Sequence, residues 1–117
     1  MESVAKINTY HAELFGYFIG RLQATPDGEA TLFDRSMVVY GGAIADGDKH
    51  THSDLPVLVT GAGGGLEGGR HVRYPAGTPM TNLYVSLLDR MGAPVPAIGD
   101  STGKLPGLDG LDFAPAG

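Results

Sequence analysis

"GGAIADGDKHTHSDLPVLVTGAGGG", residues 41–65, is the stretch on which the fold turns. It sets Asp46, Asp48, His50 and His52 at alternate positions, follows them with an apolar run, and ends in a glycine cluster. "SMVVYGG" at 36–42 leads into it and "LPVLVTG" at 55–61 lies inside it. Both runs are short and β-branched, and neither alternates apolar with polar. That pattern predicts strands buried on both faces, as in a parallel sheet. The loop between them spans about a dozen residues without helical period, a length that in a compact domain points to function or disorder.

In an extended segment, alternate side chains point to one side. Asp46, Asp48, His50 and His52 would then present two carboxylates and two imidazoles together, a donor set suited to Zn²⁺, Mn²⁺ or Fe²⁺. The competing reading is a solvated loop in which Asp46-Gly47 forms a turn and breaks the extended geometry. "GAGGG" suggests a backbone nest for an anion. No Lys-Ser/Thr follows it, so it is no phosphate-binding P-loop, and a closely packed or flexible turn is the simpler reading. Arg70 and His71, with Arg73 nearby, are candidate contacts for an anionic ligand; otherwise they sit on an exposed strand. "GDSTGKLPG" at 99–107 reads as a capped turn.

Outward from the loop, residues 3–23 carry Val4, Ile7, Leu14, Phe15, Phe18 and Leu22 at helical spacing, with His11 on the same stripe. "ATPDGEA" then breaks the pattern with Pro26 and Gly28. "RHVRYP" predicts a third, edge-type strand closed by Pro75. "TPMTNLYVSLLDRMG" predicts a helix capped by Thr78, with Pro79 in its first turn and Gly92 at its end. Its expected buried face is Met80, Leu83, Leu87, Leu88 and Met91.

The chain has 117 residues, a formal net charge of −5 and no cysteine. Disulfides and thiolate metal sites are therefore excluded. The scattered positive charges are too few for a nucleic-acid footprint, and no apolar run approaches the ~20 residues of a membrane helix. Two helices and two or three strands scarcely cover a sheet buried on both faces. The expectation is an incomplete α/β domain over residues 1–109 with a flexible tail at 110–117. Its missing neighbours would come from a preceding N-terminal part or from a homo-oligomer partner.

The runs "GRH…YP…TP…NL…LLDRMG" and "GDSTGKLPGL" resemble the C-terminal end of the bacterial domain of unknown function 1552 family, from about residue 6 to residue 109. That resemblance implies a longer, exported or periplasmic protein of which this chain is the last part. The family in turn is similar to the alkaline phosphatase and sulfatase superfamily of metal-dependent hydrolases. The implied fold is the C-terminal part of a three-layer α/β sandwich with a mostly parallel sheet. In the superfamily a His-Thr pair precedes the proline of the last strand at fixed spacing, and here His50-Thr51 and Pro56 keep it. His50 would thus be a metal ligand. The superfamily's Asp-His-Gly turn falls on Ala43, Ile44 and Ala45, which cannot bind metal, and Asp46 lies close enough to stand in. The resemblance implies hydrolysis of phosphate or sulfate esters by the full-length protein, with this chain inactive alone. The alternative is a non-catalytic exported binding or structural protein that kept the scaffold and lost the metal centre. The blandest reading is a loop that only shapes a sheet edge.

Overall fold

The computed structural model describes residues 2–108; the tail expected at 110–117 lies outside them. Helix α1 runs over Glu2–Ala24. Glu2 in its first turn and Arg21 in its last complement the helix dipole. Glu2 also pairs with Lys6 at 3.2 Å, but both side chains are solvent-exposed, so the pair adds only a few tenths of a kcal/mol. The helix stops before Pro26, which disfavours helical backbone at Thr25. There the Thr25 hydroxyl donates to the Arg21 carbonyl at 2.6 Å and occupies one of the carbonyls the helix end leaves open.

A small hairpin follows, β1 (Pro26–Asp27) against β2 (Ala30–Thr31). Gly28 takes a φ of +64°, the positive value two-residue hairpin loops favour. The backbone amides of Leu32 and Phe33 donate to the carbonyls of Thr25 and Leu22, fastening the hairpin to the end of α1.

Strands β3 (Val38–Gly41) and β4 (Val57–Thr60) form the second sheet, and they are antiparallel: Val38 faces Thr60 and Gly41 faces Val57. The parallel sheet expected from the apolar runs is not formed. A parallel pair needs a long crossover, usually a helix, whereas residues 42–56 contain none and simply fold back. Nor are the strands buried on both faces, since Val39 and Leu58 are exposed. The even-numbered face of β3 carries Tyr40, whose ring stacks on Phe15 of α1 at 4.6 Å between centroids. The odd-numbered face, with Val39 and Gly41, turns toward clefts shared with helix α2 (Thr81–Arg90). The architecture is therefore mixed α/β, with the sheets present as antiparallel pairs.

"GAGGG" becomes a 3-10 turn over Gly63–Gly65. Gly61 has a φ of +105° and lies against the Ser36 backbone; Gly63 is pressed onto Arg35 and Ser36. The amides of Ala62 and Gly63 donate to the Phe33 and Ser36 carbonyls at 3.1 and 3.0 Å. The glycines are thus there for close backbone approach.

Residues 70–75 pair with no strand, contrary to the edge strand expected. Their side chains bond across space to residues 106–108 instead. Thr78 does not cap α2; its hydroxyl donates back to the Pro75 carbonyl at 2.7 Å, and Met80 occupies the cap position without a side-chain bond. The other end behaves as expected. Gly92, at φ +78°, donates to Asp89 and Ala93 donates to Leu88, the paired bonds of a Schellman cap.

The buried apolar residues among those described are Leu66, Leu83, Val85 and Leu87. Buried beside them are Asn82 and Ser86, while Met91, expected inside, is 56% exposed. The reason is the segment 98–108, which lies along α2 as a strap. Asn82 accepts from the Thr102 amide at 2.8 Å and donates to its hydroxyl at 3.1 Å. One turn on, the Ser86 hydroxyl accepts from the Leu105 amide at 2.8 Å. Thr81 donates to Asp100, and Lys104 donates to Asp89 at 2.9 Å. A helix face that must hold an extended backbone needs polar groups at i and i+4, so apolar spacing alone mislocates it.

Candidate functional site

The alternating loop does not run extended through its donors. Residues 47–50 form a turn closed by a bridge between Asp46 and Thr51, and the Ala45 amide donates to the Thr51 carbonyl at 2.8 Å. Asp46 is the pivot. Its Oδ1 accepts from the amides of Asp48 and Lys49 at 3.0 and 3.2 Å, the side-chain turn that aspartate forms readily ahead of glycine. His50 sits at a φ of +53°, a left-handed conformation uncommon outside glycine, Asn, Asp and His.

This turn removes the period-two geometry that would set four donors on one side. Among the described residues, no three His, Cys, Asp or Glu side chains gather as a metal group would require. The donor types suit a divalent ion. In this conformation Asp46 is engaged with the backbone, while Asp48 and His50 are exposed on the turn.

His52 has a different setting. Its Nδ1 lies 2.6 Å from the Ala43 carbonyl oxygen. A carbonyl can only accept, so Nδ1 carries the proton, and in the neutral ring Nε2 is left as an acceptor. The imidazole lines an open cleft of about 510 Å³, with Val39, Leu55, Val57 and Met80 as apolar wall and Tyr84 of α2 across from the hairpin. A second cleft of about 400 Å³ lies on the other side of Tyr84, against Met37, Leu87 and Ile98.

The two candidate anion contacts part company. Arg70 donates to the carbonyls of Gly107 at 2.7 Å, Glu67 at 3.2 Å and Leu108 at 3.0 Å. It therefore serves as a clamp on the strap, joined there by Arg90, which holds the Gly64 and Leu108 carbonyls, both at 2.9 Å. His71 is exposed and has no hydrogen-bond partner among the described residues. In the glycine run the amides of Ala62 and Gly63 already donate to backbone carbonyls, which fits a closely packed turn.

Tyr74 completes the clamp, donating to the Pro106 carbonyl at 2.6 Å. Burial pushes its phenol above the ordinary value of 10.0, and the neighbouring Arg70 charge opposes that rise. Sequence reasoning missed Asn82, Ser86, Tyr74 and Arg90 as the residues that organise this half of the molecule. The one signal, which bears on Asn82 and Ser86, was polar side chains interrupting the apolar stripe of α2.

Compared with family models, with curated proteins and with solved structures, the chain matches none.

Proposed function

We propose that the chain acts as a non-catalytic binding and assembly element, exported like the family it resembles. The observation that carries this reading is α1. Val4, Ile7, Tyr10, Leu14, Tyr17 and Phe18 are all roughly half-exposed or more, from 48% to 69%, and residues 2–14 have no buried member. A contiguous apolar stripe of that kind marks an interaction surface rather than ordinary solvent-facing helix. Its partner is another apolar surface: a second copy of the chain, or a further part of the same protein.

Sedimentation velocity over a range of concentrations tests the reading, with Ile7→Asp and Phe18→Asp beside the parent. A parent that self-associates, and variants that stay monomeric with unchanged helicity, support it. A parent that remains monomeric and binds no further segment of its own protein counts against it.

Metal-dependent hydrolysis of phosphate or sulfate esters is the second reading, favoured by Asp48 and His50 standing exposed on one turn. Opening the turn would free Asp46 to join them around Zn²⁺, Mn²⁺ or Fe²⁺ with His52. About one equivalent of metal in the purified protein, lost in His50→Ala, is the expected sign. Absence of metal from both ends that reading.

A further inference from the structure

We infer that the cleft between the β3–β4 hairpin and α2 binds a small, apolar-bodied molecule bearing one hydroxyl donor, a phenol-type ligand, with His52 Nε2 as its acceptor. This rests on the binding reading above and names a ligand class for a different face of the molecule.

Three observations converge on it. The cleft, at about 510 Å³, lies within the usual range for small-ligand sites of ~300–1,000 Å³. Its walls are mainly apolar: Val39 and Val57 from the hairpin, Leu55 from the returning loop, and Met80 and Tyr84 from α2. Gly41 and Gly42 also line it. The single imidazole in it has a defined hydrogen-bonding role, because the Ala43 carbonyl fixes the proton on Nδ1. Nε2 and the Tyr84 hydroxyl have no partner among the described residues.

An apolar body gains from leaving water for these walls, and a single donor pays its desolvation cost by bonding to Nε2. No Lys or Arg is among the described residues that line the cleft, so a carboxylate or phosphate has no fixed cation there to receive it. At Nε2 an acceptor-only ligand meets an acceptor, and only the Tyr84 hydroxyl could donate to it.

The test is a titration of the full chain, in the Ile7→Asp background, with para-cresol and with toluene at a pH where the imidazole is neutral. Two-dimensional NMR is the readout. Saturable shifts confined to residues 39–43, 52–57 and 80–84 are expected for para-cresol. Toluene should bind about threefold to tenfold more weakly, the value of one net hydrogen bond. His52→Phe should remove the difference between the two compounds while leaving both bound. Equal affinities with His52 intact, shifts spread along α1, or no saturable shift overturns the inference. Because the titration uses a variant with the α1 stripe disrupted, failure here leaves the association experiment standing, and failure of association leaves this result standing.

Discussion

The strap region, residues 61–108, and the 42–56 loop use their polar residues differently. Along α2, Asn82, Ser86, Thr81 and Asp89 each bind a group on the strap at least fifteen residues away in sequence. Arg70, Arg90 and Tyr74 clamp its end through carbonyls. In the loop, Asp46 binds only its own neighbours, two and three residues on, and His52 reaches back nine. Where such a long-range bond is part-buried, as at Asn82 and Ser86, breaking it strands a polar group away from water, which favours one conformation. Local bonds in an exposed turn specify the turn alone. The contrast teaches that the alternating Asp and His residues bond locally, whereas Asn82, Ser86 and the two arginines bond across the fold.

The largest effect that would expose this difference is Gly61→Ala. An added Cβ runs into the Ser36 carbonyl and must adopt a φ of +105°, so the variant should lose more than ~3 kcal/mol of stability in urea unfolding. A loss below ~1 kcal/mol would show that the glycine crossing is loosely packed. Asn82→Ala comes next. It leaves the Thr102 amide without its 2.8 Å partner and should cost about 1–3 kcal/mol, with amide exchange accelerated across 99–105. An unchanged exchange pattern would mean that the strap holds without its side-chain bonds.

A smaller, pH-dependent effect belongs to Tyr74. Its folded pKa is raised, so the folded state holds the phenolic proton more tightly than the unfolded one. The stabilisation is complete below the ordinary value of 10.0 and is lost as pH climbs from there through the folded value. Stability should fall over that alkaline window, and Tyr74→Phe should flatten the fall. If the variant keeps the full slope, other groups carry it. Smallest of all, Asp48→Ala should change stability by less than ~0.5 kcal/mol, because its side chain is exposed on the turn. A loss several times larger would place an unrecognised partner on that turn and narrow the contrast between the two sides.

Local order was legible in the residues. The stripe of α1, the interruption at Pro26, α2 and its termination at Gly92 follow from spacing, proline sterics and glycine's access to positive φ. These are short-range causes, fixed by the backbone and its nearest neighbours. Strand existence at 38–41 and 57–60 was equally legible, since β-branched runs favour extended backbone.

Only the tertiary structure decided how those strands pair. An apolar run suits a parallel or an antiparallel neighbour, and the choice lay in a connection that turns back at Asp46–Thr51 without crossing over. The same turn decided the fate of the alternating donors, because Asp46 accepts from two backbone amides there and the chain no longer runs extended. The polar face of α2 and the arginine clamps were likewise hidden, as their partners lie 15 to 38 residues away. Sequence by itself determined where the chain bends, coils and extends. Long-range hydrogen bonding determined which of those pieces meet, and so which side chains remain free to act.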